Sequence, residues 1–110
     1  MSHEKVQQAV SAHVPCRHLE WAPEKPPVPF AVYLEDYEIP IVAGDVQIAK
    51  KTRWMVELYE IRRDRALEEA LANSLREAFG SVGRDERKQD DDGLIQVVYT
   101  FYEIEGEFDG

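Results

Sequence analysis

Disulfide chemistry is closed to this chain, because Cys16 is its single cysteine and no internal cross-link can form; a reducing compartment is enough for it to fold. Long apolar runs are missing as well. Nothing approaches the roughly 20 consecutive residues of a membrane span, or the basic-then-apolar start of a secretory signal, so no membrane partner is expected and synthesis belongs in the cytoplasm. Positive charge is scarce, with 13 Lys and Arg against 22 Asp and Glu and a formal net charge of −9. Nucleic-acid backbones and anionic surfaces are therefore repelled, and no specific nucleic-acid binding is expected. Glycines are few. Gly80 and Gly83 follow an apparent helix rather than lead into one, so no phosphate-cradling loop and no nucleotide cofactor are expected.

What remains suits one ordinary core. The 110 residues include 44% hydrophobic, 10% aromatic and 32% charged side chains, which predicts a single domain over residues 1–110. Val6, Ala9, Val10 and Val14 form a helical stripe over residues 2–14 that stops at Pro15. A short strand is expected over 17–21, followed by a loop rich in proline: Pro23, Pro26, Pro27 and Pro29. Phe30, Val32 and Leu34 alternate as a strand over 30–35, and Pro40 with Gly44 reads as a turn over 36–45.

Residues 50–61 are the clearest strand. Trp54, Val56 and Leu58 alternate with Met55, Tyr59 and Ile61, and apolar side chains on both faces predict a central position. Asp64 then caps a helix carrying Leu67, Leu71, Leu75 and Phe79, which Gly80 ends. Residues 81–93 are so polar that a solvated loop is expected, and 94–104 alternate as a last strand. The predicted fold class is α+β: a mostly antiparallel sheet of about four strands, with two helices packed on one face.

Reactive constellations do not assemble from this pattern. His13, Cys16 and His18 straddle the Pro15 break and lack a fourth ligand at zinc-like spacing, so no metal is expected there. Asp90, Asp91 and Asp92 precede Gly93 without the alternating ligands and closing Glu of a calcium loop. Glu35 and Glu57 read as outward-facing strand residues. No catalytic, cofactor or metal residue is expected, and the chain reads as a non-enzyme. The anomaly is Tyr37, Ile39, Ile41 and Val42, large apolar residues in a supposed surface turn. Either they fold back on the domain or they meet another subunit.

The runs PPVPFAVYLEDYEIPIVAGD and KTRWMVELYEIRRDRALEEALANSLREAF carry a resemblance. Pro26, Pro27, Val32, Tyr33, Asp45, Val56, Glu57, Leu58, Tyr59, Asp64, Glu68, Leu71 and Leu75, with Val98, Tyr99 and Tyr102 in the last strand, supply its positions. Over residues 5–105 this order of elements resembles the tail-completion, or tail-terminator, proteins of long-tailed (siphovirus-type) bacteriophages and prophages. The charged stretch 80–93 departs from the pattern. The resemblance implies a structural virion protein that forms a ring, typically a hexamer, at the head-proximal end of the tail tube. Its partners would be copies of itself, the tail tube protein and the head connector protein, with DNA free to pass through the ring. On that basis Tyr37, Ile39, Ile41, Val42 and Asp45, together with Arg84, Asp85, Asp90, Asp91 and Asp92, are the expected interface residues. A head-completion protein, or an acidic module that binds a host protein, is the alternative.

Overall fold

A computed structural model describes residues 2–18, 28–88 and 93–106. Helix α1 (Ser2–Ser11) leads into β1 (Cys16–His18), and β2 (Phe30–Ala43) and β3 (Val46–Glu60) follow as a long hairpin. Helix α2 (Arg65–Phe79), β4 (Val82–Lys88) and β5 (Ile95–Gly106) complete the chain. The sheet has five strands in the order β1-β2-β3-β5-β4. Only β1 and β2 run parallel; every other neighbouring pair is antiparallel. The α+β class is as the sequence predicts, with one strand more than expected.

Strict alternation along β3 sorts the sheet into two faces. Trp54, Val56 and Leu58 are buried beneath the helices, together with Ala31 and Tyr33 of β2 and Val97, Tyr99 and Phe101 of β5. The helices close this layer with Val6 and Val10 from α1 and Leu71, Ala72 and Leu75 from α2. At about 25 cal/mol per Å2 of apolar surface removed from water, this single cluster is the main source of stability. Polar bonds fix its geometry. The Tyr99 hydroxyl donates to the Glu68 carbonyl at 2.8 Å, and Ser74 Oγ donates to the Ala9 carbonyl at 2.8 Å, which ties α2 to α1. Asp64 accepts from the Leu67 N–H at 3.0 Å as the N-cap of α2, and Gly80, at φ +91°, returns its N–H to the Arg76 carbonyl.

Two expectations are corrected. Residues 36–45 are not a turn: β2 runs through Pro40 to Ala43, and the chain reverses only at Gly44 and Asp45, where Gly44 sits at φ +63°. Proline is tolerated because, among the described residues, β1 covers β2 only from Ala31 to Tyr33, and no described strand pairs with the outer side of β2 beyond that point. Nor are residues 81–93 a loop throughout. Val82–Lys88 is β4, paired with β5 from Val82↔Phe101 to Lys88↔Ile95. The expected helix over 2–14 ends at Ser11, although Val14 remains buried. Of the expected strand 17–21, positions 19–21 lie outside the described residues, as do 22–27 of the proline-rich loop. No helix among the described residues is long and apolar enough to cross a membrane.

Leu75 is fully buried whereas Ile104 is 63% exposed. Leu75→Ala is expected to lower unfolding stability by about 2–5 kcal/mol, and Ile104→Ala by no more than about 0.5 kcal/mol, both read by urea denaturation. A large loss from Ile104→Ala would show that the open face carries the isolated fold.

Candidate assembly surface

Past a register shift between Glu35 and Tyr37, β2 and β3 continue as a hairpin with β5 alongside β3. Two rungs cross these three strands: Tyr37, Arg53 and Tyr102, then Ile39, Lys51 and Ile104. Successive rungs lie two residues apart, so all six side chains stand on one face, the face away from the helices. Tyr37, Ile39, Tyr102 and Ile104 are 41%, 43%, 39% and 63% exposed. Such a grouping is more than a scatter of lone surface hydrophobes.

The two cations in the rungs do not break the patch, because their alkyl stems lie along it and their charged ends sit on rings. Lys51 Nζ lies 4.5 Å from the Tyr102 ring centroid, and the Arg53 guanidinium lies 5.7 Å from that of Tyr37. Arg53 Nε also reaches Asp36 at 3.5 Å. Hydrogen bonding from Tyr102, then from Arg53, holds Tyr37 below the usual tyrosine value, while Tyr102 is pushed above it. At the hairpin tip Val42 and Val46 are 60% and 63% exposed. Asp45 lies in the reversal itself, and Ile41 is half-buried, opposite Ala49.

The remaining predicted interface residues lie elsewhere. Arg84 and Asp85 are on β4, separated from β2 by β3 and β5, so the two groups do not form one site. Arg84 Nη2 donates to Glu69 Oε1 at 3.1 Å, and Asp85 pairs with Arg87 at 3.6 Å. Asp90, Asp91 and Asp92 lie outside the described residues. Tyr102, Ile104 and Val46 are not among the interface residues expected from the sequence. The period-two alternation of the last strand already placed Tyr102 and Ile104 on one side, and only their alignment with Tyr37 and Ile39 required the register.

Elsewhere in the fold, burial shifts a thiol and a carboxyl. Cys16 is buried, and burial pushes its thiol up to about 12, so it is protonated at neutral pH. Below the sheet end, Glu60 and Glu68 are each 2% exposed. Arg63 donates to both Glu68 oxygens, at 2.9 and 2.7 Å, and to both Glu86 oxygens at 2.7 Å, bracing α2 against β4. Neither Glu60 oxygen receives a well-formed hydrogen bond among the described residues. Burial first, and the neighbouring Glu68 second, push its carboxyl up to about 8. Arg63 holds Glu68 below its ordinary value. The pair therefore carries one proton between two carboxyl groups at neutral pH. Glu60 follows Trp54, Val56 and Leu58 at the same spacing, so alternation alone assigns it to the buried face.

No known family profile and no curated protein sequence matches the chain. Among solved structures, a chain from the virion of a native gene transfer agent particle is similar to it, with TM-score 0.53 and 11% identity over 93% of this chain and 84% of that one. A second solved chain is similar with TM-score 0.53 and 13% identity over 100% of this chain and 99% of that one. At these identities the likeness is one of fold.

Because the folded state holds the Glu60 proton up to about pH 8, whereas an ordinary glutamate releases it near 4.5, this group favours folding fully below pH 4.5 and progressively less between 4.5 and 8. Glu60→Gln is expected to flatten that decline and to stabilise the protein at pH 8 by on the order of 1–3 kcal/mol. Urea midpoints of both proteins at pH 5.5 and pH 8 check it; equal slopes in the two would contradict the assignment.

Proposed function

We propose that the chain is a structural virion protein, a tail-completion subunit that forms a ring, of six copies, at the head-proximal end of a phage-type tail tube. The ring ends tube polymerisation and joins the tail to the head connector. The observation that carries this reading is the patch of Tyr37, Ile39, Tyr102 and Ile104 on the projecting hairpin, large side chains that the isolated fold leaves open. A closed ring needs one surface on each subunit to dock on a different surface of the next, and a long hairpin standing out from the core supplies a reaching element. The fold likeness to a chain of a gene transfer agent virion supports a virion role. The charge of −9 suits a ring whose bore lets DNA pass without holding it. In this reading the chain performs no reaction, and Glu60, Glu68 and Arg63 are a clamp within the fold.

Electron microscopy of particles lacking the chain tests the proposal. Overlong or headless tails support tail completion; filled heads without attached tails of normal length point to a head-completion joint instead, and normal virions remove both. Ile39→Asp places an unpaired charge in the patch, and ring or tail assembly is expected to fall at least 10-fold. The monomer should keep its circular dichroism and its melting temperature to within a few degrees, since Ile39 is 43% exposed. Tails of wild-type length and number from this variant would overturn the role given to the hairpin.

A further inference from the structure

We propose that His3, His18 and Glu35 bind a divalent cation of the zinc class, clamping α1 to the outer strands of the sheet. The three come from α1, β1 and β2, and their ligand atoms lie within 4.8 Å of one another. Sheet register brings two of them together: His18 pairs with Tyr33 in the parallel β1–β2 ladder, and Glu35 is the next residue of β2 on the same face. His3 descends on them from the start of α1, with Nε2 at 2.6 Å from Glu35 Oε1.

The geometry is close to what a tetrahedral ion requires. Bonds of about 2.0–2.1 Å place ligand atoms about 3.3 Å apart, so the nearest pair must open by about 0.7 Å and the widest close by about 1.5 Å. Side-chain rotation covers such shifts, and His18 and Glu35 are exposed and free to make them. The imidazoles are held from behind. The His3 ring stands edge-on to Trp54 at 5.0 Å and to His18 at 4.6 Å, and the His18 ring lies 5.0 Å from Tyr33.

The surroundings favour a cation. His3 and Glu35 line a groove of about 680 Å3 lined also by Glu4, Glu38, Glu103 and Glu105, with Lys5 and Lys50 the cations among its lining residues. Two imidazole nitrogens and one carboxylate oxygen suit zinc rather than magnesium or calcium, which take oxygen ligands. Three protein ligands leave a fourth position for water or a donor from another molecule. The ion's structural effect would be to fasten the start of α1 and the three-residue strand β1 to the long strand β2. This inference stands whatever the chain assembles with.

Calorimetric titration of zinc chloride into the metal-free full chain, in a non-chelating buffer, tests it. One ion per chain with low-micromolar affinity is expected, and saturation should raise the melting temperature by about 5 °C. His18→Ala and Glu35→Gln should each weaken binding at least 10-fold. Both positions are exposed, so the variants should fold, as circular dichroism will check. His13→Ala should bind as the wild type does, because His13 lies past the far end of α1, beyond about 12 Å of helical rise from His3, and magnesium chloride should give no heat. Wild-type affinity weaker than about 100 µM, or undiminished binding by both His18→Ala and Glu35→Gln, would overturn the site.

Discussion

The pairing of β3 on both of its edges is the constraint from which the rest of the molecule follows. From Ala49 to Glu60 every residue of this strand has a partner in β5, and from Ala49 to Tyr59 another in β2. A slip of one residue would exchange Trp54, Val56, Leu58 and Glu60 for Met55, Glu57 and Tyr59 beneath the helices. The register therefore decides which side chains make the core and sets the rungs of the open face. It also delivers a carboxyl group, Glu60, to a place where it must keep its proton.

Much of this was legible because alternation is a local property. The central strand, the capped second helix, the helical stripe of α1 and the last strand can each be read from side-chain spacing, and each is present. The readings that failed did so for physical reasons. Pro40 and Gly44 punctuate a chain in general, yet Pro40 lies where no described strand pairs with the outer side of β2, so its missing N–H costs little, and the backbone reverses at Gly44. β4 carries GRDERK after its first valine and has no apolar face to betray it; its strand state comes from pairing with β5.

The same distinction separates the two surface features. Tyr37, Ile39, Ile41 and Val42 stand out because large apolar residues in a stretch punctuated by Pro40 and Gly44 are conspicuous in any chain. That Tyr102 and Ile104 complete the patch depended on which residues of β5 fall opposite β3. His3, His18 and Glu35 lay beyond reach of a linear reading. Thirty-two residues separate His3 from Glu35, whereas His13, Cys16 and His18, close in sequence, do not come together: His13 lies past the end of α1, Cys16 is buried, and the parallel ladder sets His18 beside Tyr33 of β2.

One outer rim of the sheet also has a consequence for how copies of the chain can meet. β4, with Arg84, Asp85, Glu86 and Arg87 in succession, presents charges of both signs along a backbone edge that no described strand covers. That rim is a poor template for adding another chain's strand, since burying those charges against a neighbour's edge would strip them of water. Lateral strand addition is thus discouraged on that side, and contact is steered to side chains on the open face, whose shape can dictate a fixed angle between neighbours. A sheet guarded at this margin and adhesive on its flank is better suited to docking through side chains than to growing a fibril from that edge.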